Sequence, residues 1–189
     1  REQLAHVQAL EQAIARVTAE VERLLAPFEA APALLDTIPG IDRANAQVLL
    51  AEVGADLSRF PGGGHLASWA GLCPGHNESA GKRRSGKTRK GSPWLRHALI
   101  QAAHGASHTK HTYLVAQYRR IAARRGRKRA LVAVAHSILV IAYYVLTRQE
   151  PYRELGVLYF DQRDRDGVSR RLTRRLERLG YRVTLERAA

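Results

Sequence analysis

The 189-residue sequence predicts a mainly α-helical protein. A long coiled-coil-like N-terminal helix is expected to precede a compact helical domain that contains a helix-hairpin-helix and a basic Gly/Ser loop. Apolar residues follow helical periods, glycines and prolines separate the periodic segments, and a hydrophobic content of 45% suffices for a packed core. We expect three regions, at residues 1–31, 32–150 and 151–189.

The first element is a helix predicted over residues 2–29, which Pro27 and Pro32 are expected to end. Its apolar residues alternate at spacings of three and four, the pattern of a coiled-coil seam. They are Val7, Leu10, Ile14, Val17, Val21, Leu24 and Phe28. An ordinary amphipathic helix on a core is the alternative, but the strict alternation favours a coiled-coil partner. We expect a homo-oligomer formed through this helix.

A pair of short helices joined by the turn Ile38-Pro39-Gly40-Ile41 comes next. Asp42 is suited to cap the second helix, and Gly54 to end it. A helix-hairpin-helix of this kind holds a nucleic-acid backbone through main-chain N–H groups, and Gly40 would permit the close approach of a phosphate. The carboxylate of Asp42 opposes that contact, so a hairpin used only for packing is an equal alternative.

The rest of the chain is punctuated by turn and cap residues. Residues 73–91 are loop-like, and a hairpin within them is possible. Ser92 is expected to cap one helix, Gly126 to separate two others, and Asp166 to cap the last. A turn and a short extended piece are expected over residues 152–160. Helices are predicted at residues 65–71, 92–107, 112–125, 127–148 and 166–179. Trp69 and Leu72 are assigned to the core, and residues 181–185 to a short strand or a tail.

Charge is concentrated in the middle of the chain. Residues 1–78 carry five basic and ten acidic side chains, residues 79–149 carry sixteen basic and none acidic, and residues 150–189 carry ten and seven. Because a solvated face normally mixes both signs, the acid-free segment indicates a polyanion-binding surface. A membrane is not the expected partner, because the main basic cluster lies in a Gly/Ser-rich loop rather than beside an apolar helix face.

The predicted nucleic-acid-binding residues combine the basic loop, a basic junction between two helices and the hairpin glycine. They are Gly40, Lys82, Arg83, Arg84, Lys87, Arg89, Lys90, Arg96, Arg124, Arg125, Arg127, Lys128 and Arg129. The loop over residues 78–91 is either a flexible phosphate-binding loop or the carrier of a nucleophilic serine. A serine that attacks a phosphodiester needs a proton acceptor and positive charge near the phosphorane oxygens. Composition leaves both interpretations open.

Several other residues have two interpretations each. Four histidines fall at helical spacings, but without cysteine or carboxylate companions a solvated or phosphate-facing set is favoured over a zinc site. They are His97, His104, His108 and His111. His136 is expected to be a satisfied core histidine or a contact of the active serine. Trp94 and Tyr113 are candidates for stacking on bases, although both residue types are more often core.

The single cysteine, Cys73, excludes an internal disulfide and fits a reducing cytoplasm. No methionine is present, not even at position 1. We therefore expect a fragment of a longer protein, cut inside a helix. The apolar run over residues 130–146 is short for a membrane span and is interpreted as a buried helix.

Residues 34–118 resemble the C-terminal, serine-bearing domain of the bridge-RNA-guided insertion-sequence transposases. These bridge recombinases are relatives of the pilin-gene invertases. The residues that carry the resemblance are the Ile-Pro-Gly-Ile turn, Arg59-Phe60, Ala70-Gly71-Leu72, Pro74, Ser79-Ala80-Gly81-Lys82, Lys90-Gly91 and Leu95-Arg96. The tail after residue 152 and the coiled-coil-like helix also resemble those of family members.

The resemblance implies a split active site. An N-terminal RuvC-like domain would bind Mg²⁺ through four carboxylates, and the C-terminal domain would supply a serine that forms a covalent phosphoserine link to DNA. A bridge RNA encoded by the element would pair with donor and target DNA as the guide. The family's serine maps onto Ser79; Ser85, which also precedes a Gly-Lys pair, is its rival.

The acid-free segment cannot offer carboxylates to catalytic Mg²⁺, so we expect no metal or cofactor in this chain. The chain is therefore expected to be inactive alone, as part of a transposase or recombinase acting in the bacterial cytoplasm at the nucleoid. The alternative function is a non-catalytic helix-hairpin-helix module that binds nucleic acid.

Overall fold

A computed structural model of the chain describes residues 2–75 and 77–186, without the side chain of Arg83. Within this part the protein is mainly α-helical, with one two-stranded antiparallel sheet. The elements are α1 (Glu2–Leu25), α2 (Ala30–Asp36), α3 (Arg43–Val53), α4 (Gly63–Trp69), β1 (Asn77–Ser79), β2 (Lys82–Ser85), α5 (Pro93–His108), α6 (Tyr113–Arg125), α7 (Arg127–Arg148), α8 (Tyr159–Arg163) and α9 (Arg165–Arg178). The predicted fold class is confirmed.

The core is built around α7, which packs against α4, α5 and α6 and also contacts α2. Its inward-facing side chains, among them Val134, Ile138 and Leu139, are fully buried. The hydroxyl of Tyr143 donates a hydrogen bond to the carbonyl oxygen of Phe60 at 2.9 Å, which satisfies the polar tip of a buried aromatic ring. By length and composition α7 could cross a membrane, but half of its most apolar stretch is buried inside the protein. It is the predicted core helix.

The turn between α2 and α3 is pressed against α5. Gly40 has a φ of +91°, and a Cβ placed on it would overlap the carbonyl oxygen of Ala102 and lie 2.6 Å from the amide nitrogen of Ala106. Only glycine meets both demands, the left-handed backbone and the close approach. The carboxylate of Asp42 accepts a hydrogen bond from the Asn45 N–H at 2.7 Å and so caps α3, as predicted.

The N-terminal helix is shorter than predicted. It ends at Leu25 and is followed by a 3-10 turn over residues 26–28, while Pro32 lies in the first turn of α2, where its missing N–H costs no hydrogen bond. No residue of α1 is buried, and Ile14 and Val17 of the seam are 65% and 64% exposed. Within the described residues the seam therefore has no partner.

The C-terminal extension is tied to the helical domain at two points. The Tyr152 N–H donates to Oγ1 of Thr37 at 2.9 Å. Oε1 of Glu154 accepts hydrogen bonds from the N–H groups of Tyr113, at 2.6 Å, and Gly156, at 2.7 Å. The segment after α7 is therefore held against the turn that follows α2 and against the start of α6.

Two expectations for the extension were wrong. Tyr159 and Phe160 begin α8 instead of belonging to the predicted turn and extended piece, and both rings pack on Tyr113, with centroids 5.2 Å away. The last helix begins at Arg165, so Asp166 lies in its first turn instead of capping it. Of the two alternatives for residues 181–185, the structure has the tail, because residues 181–186 form no regular element.

Candidate nucleic-acid interface

The basic loop contains a β-hairpin with a two-residue turn. β1 and β2 pair antiparallel, with Ser79 opposite Lys82, and the turn residues Ala80 and Gly81 have φ values of +51° and +71°. Two positive φ angles are typical of the turn whose twist matches that of paired strands. Glycine adopts this conformation freely, whereas an alanine is strained there by about 1–2 kcal/mol.

The hairpin presents Ser79 at its exposed tip. Residues directly opposite in an antiparallel pair point to the same face, with Cβ atoms about 4.5–5.5 Å apart. The ammonium group of Lys82 therefore belongs to the same face as the Ser79 hydroxyl. The carboxylate of Glu78 belongs to the other face, because successive side chains of a strand alternate.

Ser85 occupies a different environment at the end of β2. It is half-buried, and its Oγ accepts a hydrogen bond from the N–H of Lys87 at 3.1 Å. A serine hydroxyl bonded to the backbone two residues later stabilises a turn. Ser85 thus has a structural contact of its own.

The loop that carries the hairpin is closed at its base. A Cβ on Gly71 would lie 2.7 Å from the carbonyl oxygen of Arg89 and 2.8 Å from the nitrogen of Gly91, so the two ends of the loop touch through their backbones. Nη1 of Arg96 donates to the Gly71 carbonyl oxygen at 2.9 Å and to Oγ1 of Thr88 at 3.0 Å. Both strands of the loop base are therefore fixed to α5.

A cavity of about 1200 Å³ lies between this loop and helices α5, α6 and α7. Its cationic side chains are Arg84, Lys87, Arg96, Arg125, Lys128 and Arg129. Among the described residues that line it, none is acidic, and its apolar side chains include Leu72, Ile121 and Val132. The cavity therefore joins a positively charged rim to an apolar floor.

Two polar side chains reach the floor of this cavity. His136 is half-buried there, and burial lowers the pKa of its imidazole, which favours the neutral ring. Nε2 of Gln117 donates to Oγ of Ser137 at 2.8 Å. Its Oε1 is buried without a partner among the described residues. The expectation of a satisfied core histidine was wrong, because His136 lies at a cavity wall rather than inside the packed core.

All six cationic side chains that line the cavity are among the predicted nucleic-acid-binding residues. The others lie elsewhere. Lys82 is on the hairpin, Arg89 and Lys90 are exposed beyond it, and Nε of Arg124 donates to the Arg120 carbonyl oxygen at 3.4 Å. Gly40 is packed on α5, which gives its missing side chain a structural reason; its contact with phosphate stays a prediction. The side chain of Arg83 lies outside the described residues.

Sequence reasoning missed the floor of the cavity. Gln117 and Ile121 lie one turn apart on α6 and face the same side as Arg125. Val132 and Ala133 of α7 similarly share a face with Arg129. Positions separated by three or four residues along a helix share one side. Counting three and four residues from Arg125 towards the N-terminus and from Arg129 towards the C-terminus would have identified these floor residues.

The predicted histidine set divides into a close pair and separate members. The rings of His104 and His108 are 4.7 Å apart, and both line a second cavity together with Arg119 and Arg127. The described residues contain no group of three or more potential metal ligands. The donors present therefore do not fit Mg²⁺, and no chemical step on this chain is assigned to a metal.

Trp69 was expected in the core and is partly exposed, whereas the exposure of Trp94 leaves open its alternative as a residue that stacks on bases. Trp94 is 73% exposed, and Trp69 is 46% exposed although it contacts Phe60, with ring centroids 5.6 Å apart. The first turn of α5 turns Trp94 away from the buried Leu95. Tyr113 is half-buried in the aromatic cluster with α8.

Residues 32–120 match the family model described as "Transposase IS116/IS110/IS902 family". The chain is 32% identical over 122 residues to the pilin gene-inverting protein of Moraxella bovis, which covers 63% of this chain and 38% of that protein. It is 34% identical over 127 residues to the transposase for insertion sequence element IS1111A of Coxiella burnetii, covering 63% of this chain and 34% of that protein.

A putative transposase of Sinorhizobium fredii, y4pF/y4sB, is 32% identical over 129 residues, covering 64% of this chain and 32% of its own length. The chain thus spans about a third of the length of these curated relatives, between 32% and 38%. Residues 32–120 are thus similar to the IS116/IS110/IS902 transposase family, and the chain is similar to the pilin gene-inverting proteins.

Proposed function

We propose that this chain is part of a DNA transposase. It binds nucleic-acid phosphate and supplies Ser79 as the nucleophile for cleaving and rejoining DNA strands. One observation carries the proposal: Ser79 lies at the exposed tip of a hairpin whose second strand leads directly into a cavity with six cationic side chains. The family of residues 32–120 supports DNA as the substrate.

The chemistry requires a covalent exchange at phosphorus. Oγ of Ser79 forms a bond to the phosphorus while the bond from phosphorus to the leaving deoxyribose oxygen breaks. The serine proton passes to a base, and the leaving oxygen receives a proton. Rejoining reverses these steps, with a deoxyribose hydroxyl attacking the phosphoserine and Ser79 leaving. Lys82, on the same face of the hairpin, offers positive charge to the phosphorane oxygens.

The base and the metal are proposed to come from outside this chain. Glu78, next to the serine, belongs to the opposite face of the hairpin and cannot accept the Ser79 proton directly. By its resemblance to the bridge recombinases, the longer protein would bind Mg²⁺ with carboxylates of a RuvC-like domain. A bridge RNA would choose the sites, and the protein would act in the bacterial cytoplasm. Alone, this chain is expected neither to cleave nor to join DNA.

Ser79 is preferred to Ser85 because of their different surroundings. The Ser85 hydroxyl already accepts a hydrogen bond from the Lys87 N–H, and an accepted hydrogen bond draws electron density from the oxygen that would have to attack. Ser79 is exposed at a position where a DNA strand can approach it.

The test is a covalent protein–DNA adduct in the full-length protein, mapped to one residue by mass spectrometry. We expect Ser79→Ala to abolish the adduct and recombination while DNA and RNA binding stay nearly unchanged. Ser85→Ala is the matched control and should still form the adduct and recombine DNA. If only Ser85→Ala loses the adduct, the nucleophile is Ser85.

If both variants recombine normally, the enzyme proposal falls and a non-catalytic binding module replaces it. The turn between α2 and α3 favours the enzyme over that module, because its glycine is used for packing on α5 and the carboxylate of Asp42 caps α3.

Removing the charge of the six cavity cations should weaken the binding of DNA and of RNA, and should make that binding less dependent on salt concentration.

A further inference from the structure

The cavity between the loop and helices α5, α6 and α7 has two chemically different parts. Its rim holds cations from three segments that are distant in sequence, represented by Lys87, Arg96 and Arg129. Its floor holds aliphatic side chains together with an imidazole and an amide. Phosphate alone needs only the rim, because an apolar surface offers a phosphate oxygen no hydrogen bond. The floor therefore fits a different portion of the ligand.

The size of the cavity also exceeds what one phosphate requires. Pockets for small molecules are typically about 300–1,000 Å³, and this cavity is about 1200 Å³. Such a volume accommodates a planar base, its sugar and the phosphates on either side. The charge of the rim matches those phosphates, since none of the described lining residues is acidic.

We propose that this cavity receives one unpaired nucleotide of a nucleic-acid strand, with the base on the apolar floor and the flanking phosphates on the cationic rim. The proposal rests on the nucleic-acid binding of the proposed function, but not on the role of Ser79. DNA and RNA both offer this chemistry, and they are separated by the test below.

The nucleotide must be unpaired because of where a double helix carries its groups. Paired bases are stacked inside the duplex, and only the phosphates lie outside. A base reaches the floor of a cavity when it is extruded, which costs a few kcal/mol, or when the strand is already single. A paired duplex would therefore contact the rim and leave the floor empty.

The floor offers groups that recognise a base. The imidazole of His136 carries one donor and one acceptor nitrogen in its neutral form, and the Gln117 amide carries both kinds of group. Oε1 of Gln117 is buried and has no partner in the described part of the chain. The aliphatic side chains of Ile121 and Val132 provide apolar contacts for the face of a base.

One rim residue is fixed before any ligand arrives. Arg96 donates to the Gly71 carbonyl oxygen at 2.9 Å and to the Thr88 hydroxyl at 3.0 Å, both through Nη1. Its Nη2 group remains available to a phosphate oxygen. A preorganised guanidinium loses less side-chain entropy when it binds.

The experiment compares a fully paired duplex with the same duplex carrying one bulged 2-aminopurine nucleotide, and with a single strand, each as DNA and as RNA. Binding of this 189-residue chain is measured by fluorescence anisotropy at fixed salt. We expect the bulged duplex to bind about tenfold more tightly than the paired one, the change that one base contact typically supplies. The fluorescence of the bulged base should change on binding. An equal affinity of the two duplexes would overturn the proposal.

The central variant is Ala133→Phe, which fills the floor without changing charge. We expect it to reduce the preference for the bulge to less than about twofold while duplex affinity is kept. Ala123→Phe is the matched control, because Ala123 is exposed on α6 and does not line the cavity. Gln117→Leu, which keeps the size of the side chain, covers the case in which Ala133→Phe does not fold, and should also lower the preference.

If a folded Ala133→Phe variant, checked by circular dichroism, still prefers the bulged duplex, the proposal of a nucleotide pocket is overturned. The DNA and RNA arms then identify the strand: a preference limited to RNA would assign the cavity to a guide, and one limited to DNA would assign it to the substrate. A bulge preference without a Ser79 adduct would refute the nucleophile and keep the pocket, so the two proposals fail separately.

Discussion

Ser79 and Lys82 are opposite residues at the end of the hairpin, separated only by the turn Ala80-Gly81. The hydroxyl and the ammonium group therefore share one face of a two-stranded ribbon. Strand pairing sets this relationship, so it does not depend on a chance contact of flexible side chains.

Replacing Lys82 with Gln should slow formation of the serine adduct in the full-length protein by about 10²–10³-fold, as expected when one stabilising group is lost from a transition state. DNA affinity should fall only slightly, because one of many phosphate contacts is removed. Lys82→Arg keeps the charge and is the matched control. Single-turnover adduct formation measures the effect; an unchanged rate would exclude a role for Lys82 in the chemical step.

Substitution of Gly40 by Ala should destabilise the domain by at least about 3 kcal/mol, because the new Cβ meets α5 backbone and the left-handed φ adds strain. Urea denaturation of the chain measures the change. Gly64→Ala is the matched control: a Cβ at Gly64 would meet nothing within 4 Å, and it lies in α4. We expect that control to stabilise the protein by about 0.5–1 kcal/mol.

Stability should depend on pH through His136. Burial lowers the pKa of this histidine below its ordinary value of 6.5, so the unfolded chain binds the proton more readily than the folded one. Above pH 6.5 the histidine is neutral in both states and does not change the free energy of unfolding. As the pH falls below 6.5, the unfolded chain takes up the proton first and the free energy of unfolding decreases. Denaturation midpoints for the natural chain and His136→Gln, compared across pH 5–8, measure it. Identical pH profiles would contradict the prediction.

The exposed seam of α1 is predicted to pair with a second copy of itself. Ile14→Asp should convert the dimer to a monomer, since it places a charge in an apolar coiled-coil position. Gln8→Asp lies outside the seam and is the control. Analytical ultracentrifugation measures the molar mass, and thus the oligomeric state, of each variant. A natural chain that is monomeric at micromolar concentration would exclude the coiled coil as a dimer contact.

Local signals predicted the elements well. Ser92 caps α5 through a hydrogen bond from the Leu95 N–H at 3.3 Å, and Gly126, with a φ of +83°, separates α6 from α7. These features depend on neighbouring residues alone. Element limits were predicted less well in segments that pack on residues distant in sequence, as Tyr159 of α8 packs on Tyr113.

The candidate site was predicted in composition but not in shape. The basic residues could be counted, yet the cavity arises only when residues near Ser85, Gln117 and His136 meet across three helices and a loop. Sequence spacing does not tell which face of a helix remains open. For the same reason the partial exposure of Trp69, which was assigned to the core, was not predicted.

The contact between Gly71 and Gly91 has a consequence for how this protein can vary. A segment that leaves and re-enters a domain at one point can change its length or sequence with little effect on the rest of the domain. We therefore expect the hairpin over residues 77–85 to tolerate exchange for the hairpin of a relative. Replacing residues 77–85 with the matching segment of a relative should give a folded chimera, so the chemistry carried by the hairpin can change while the helices stay the same.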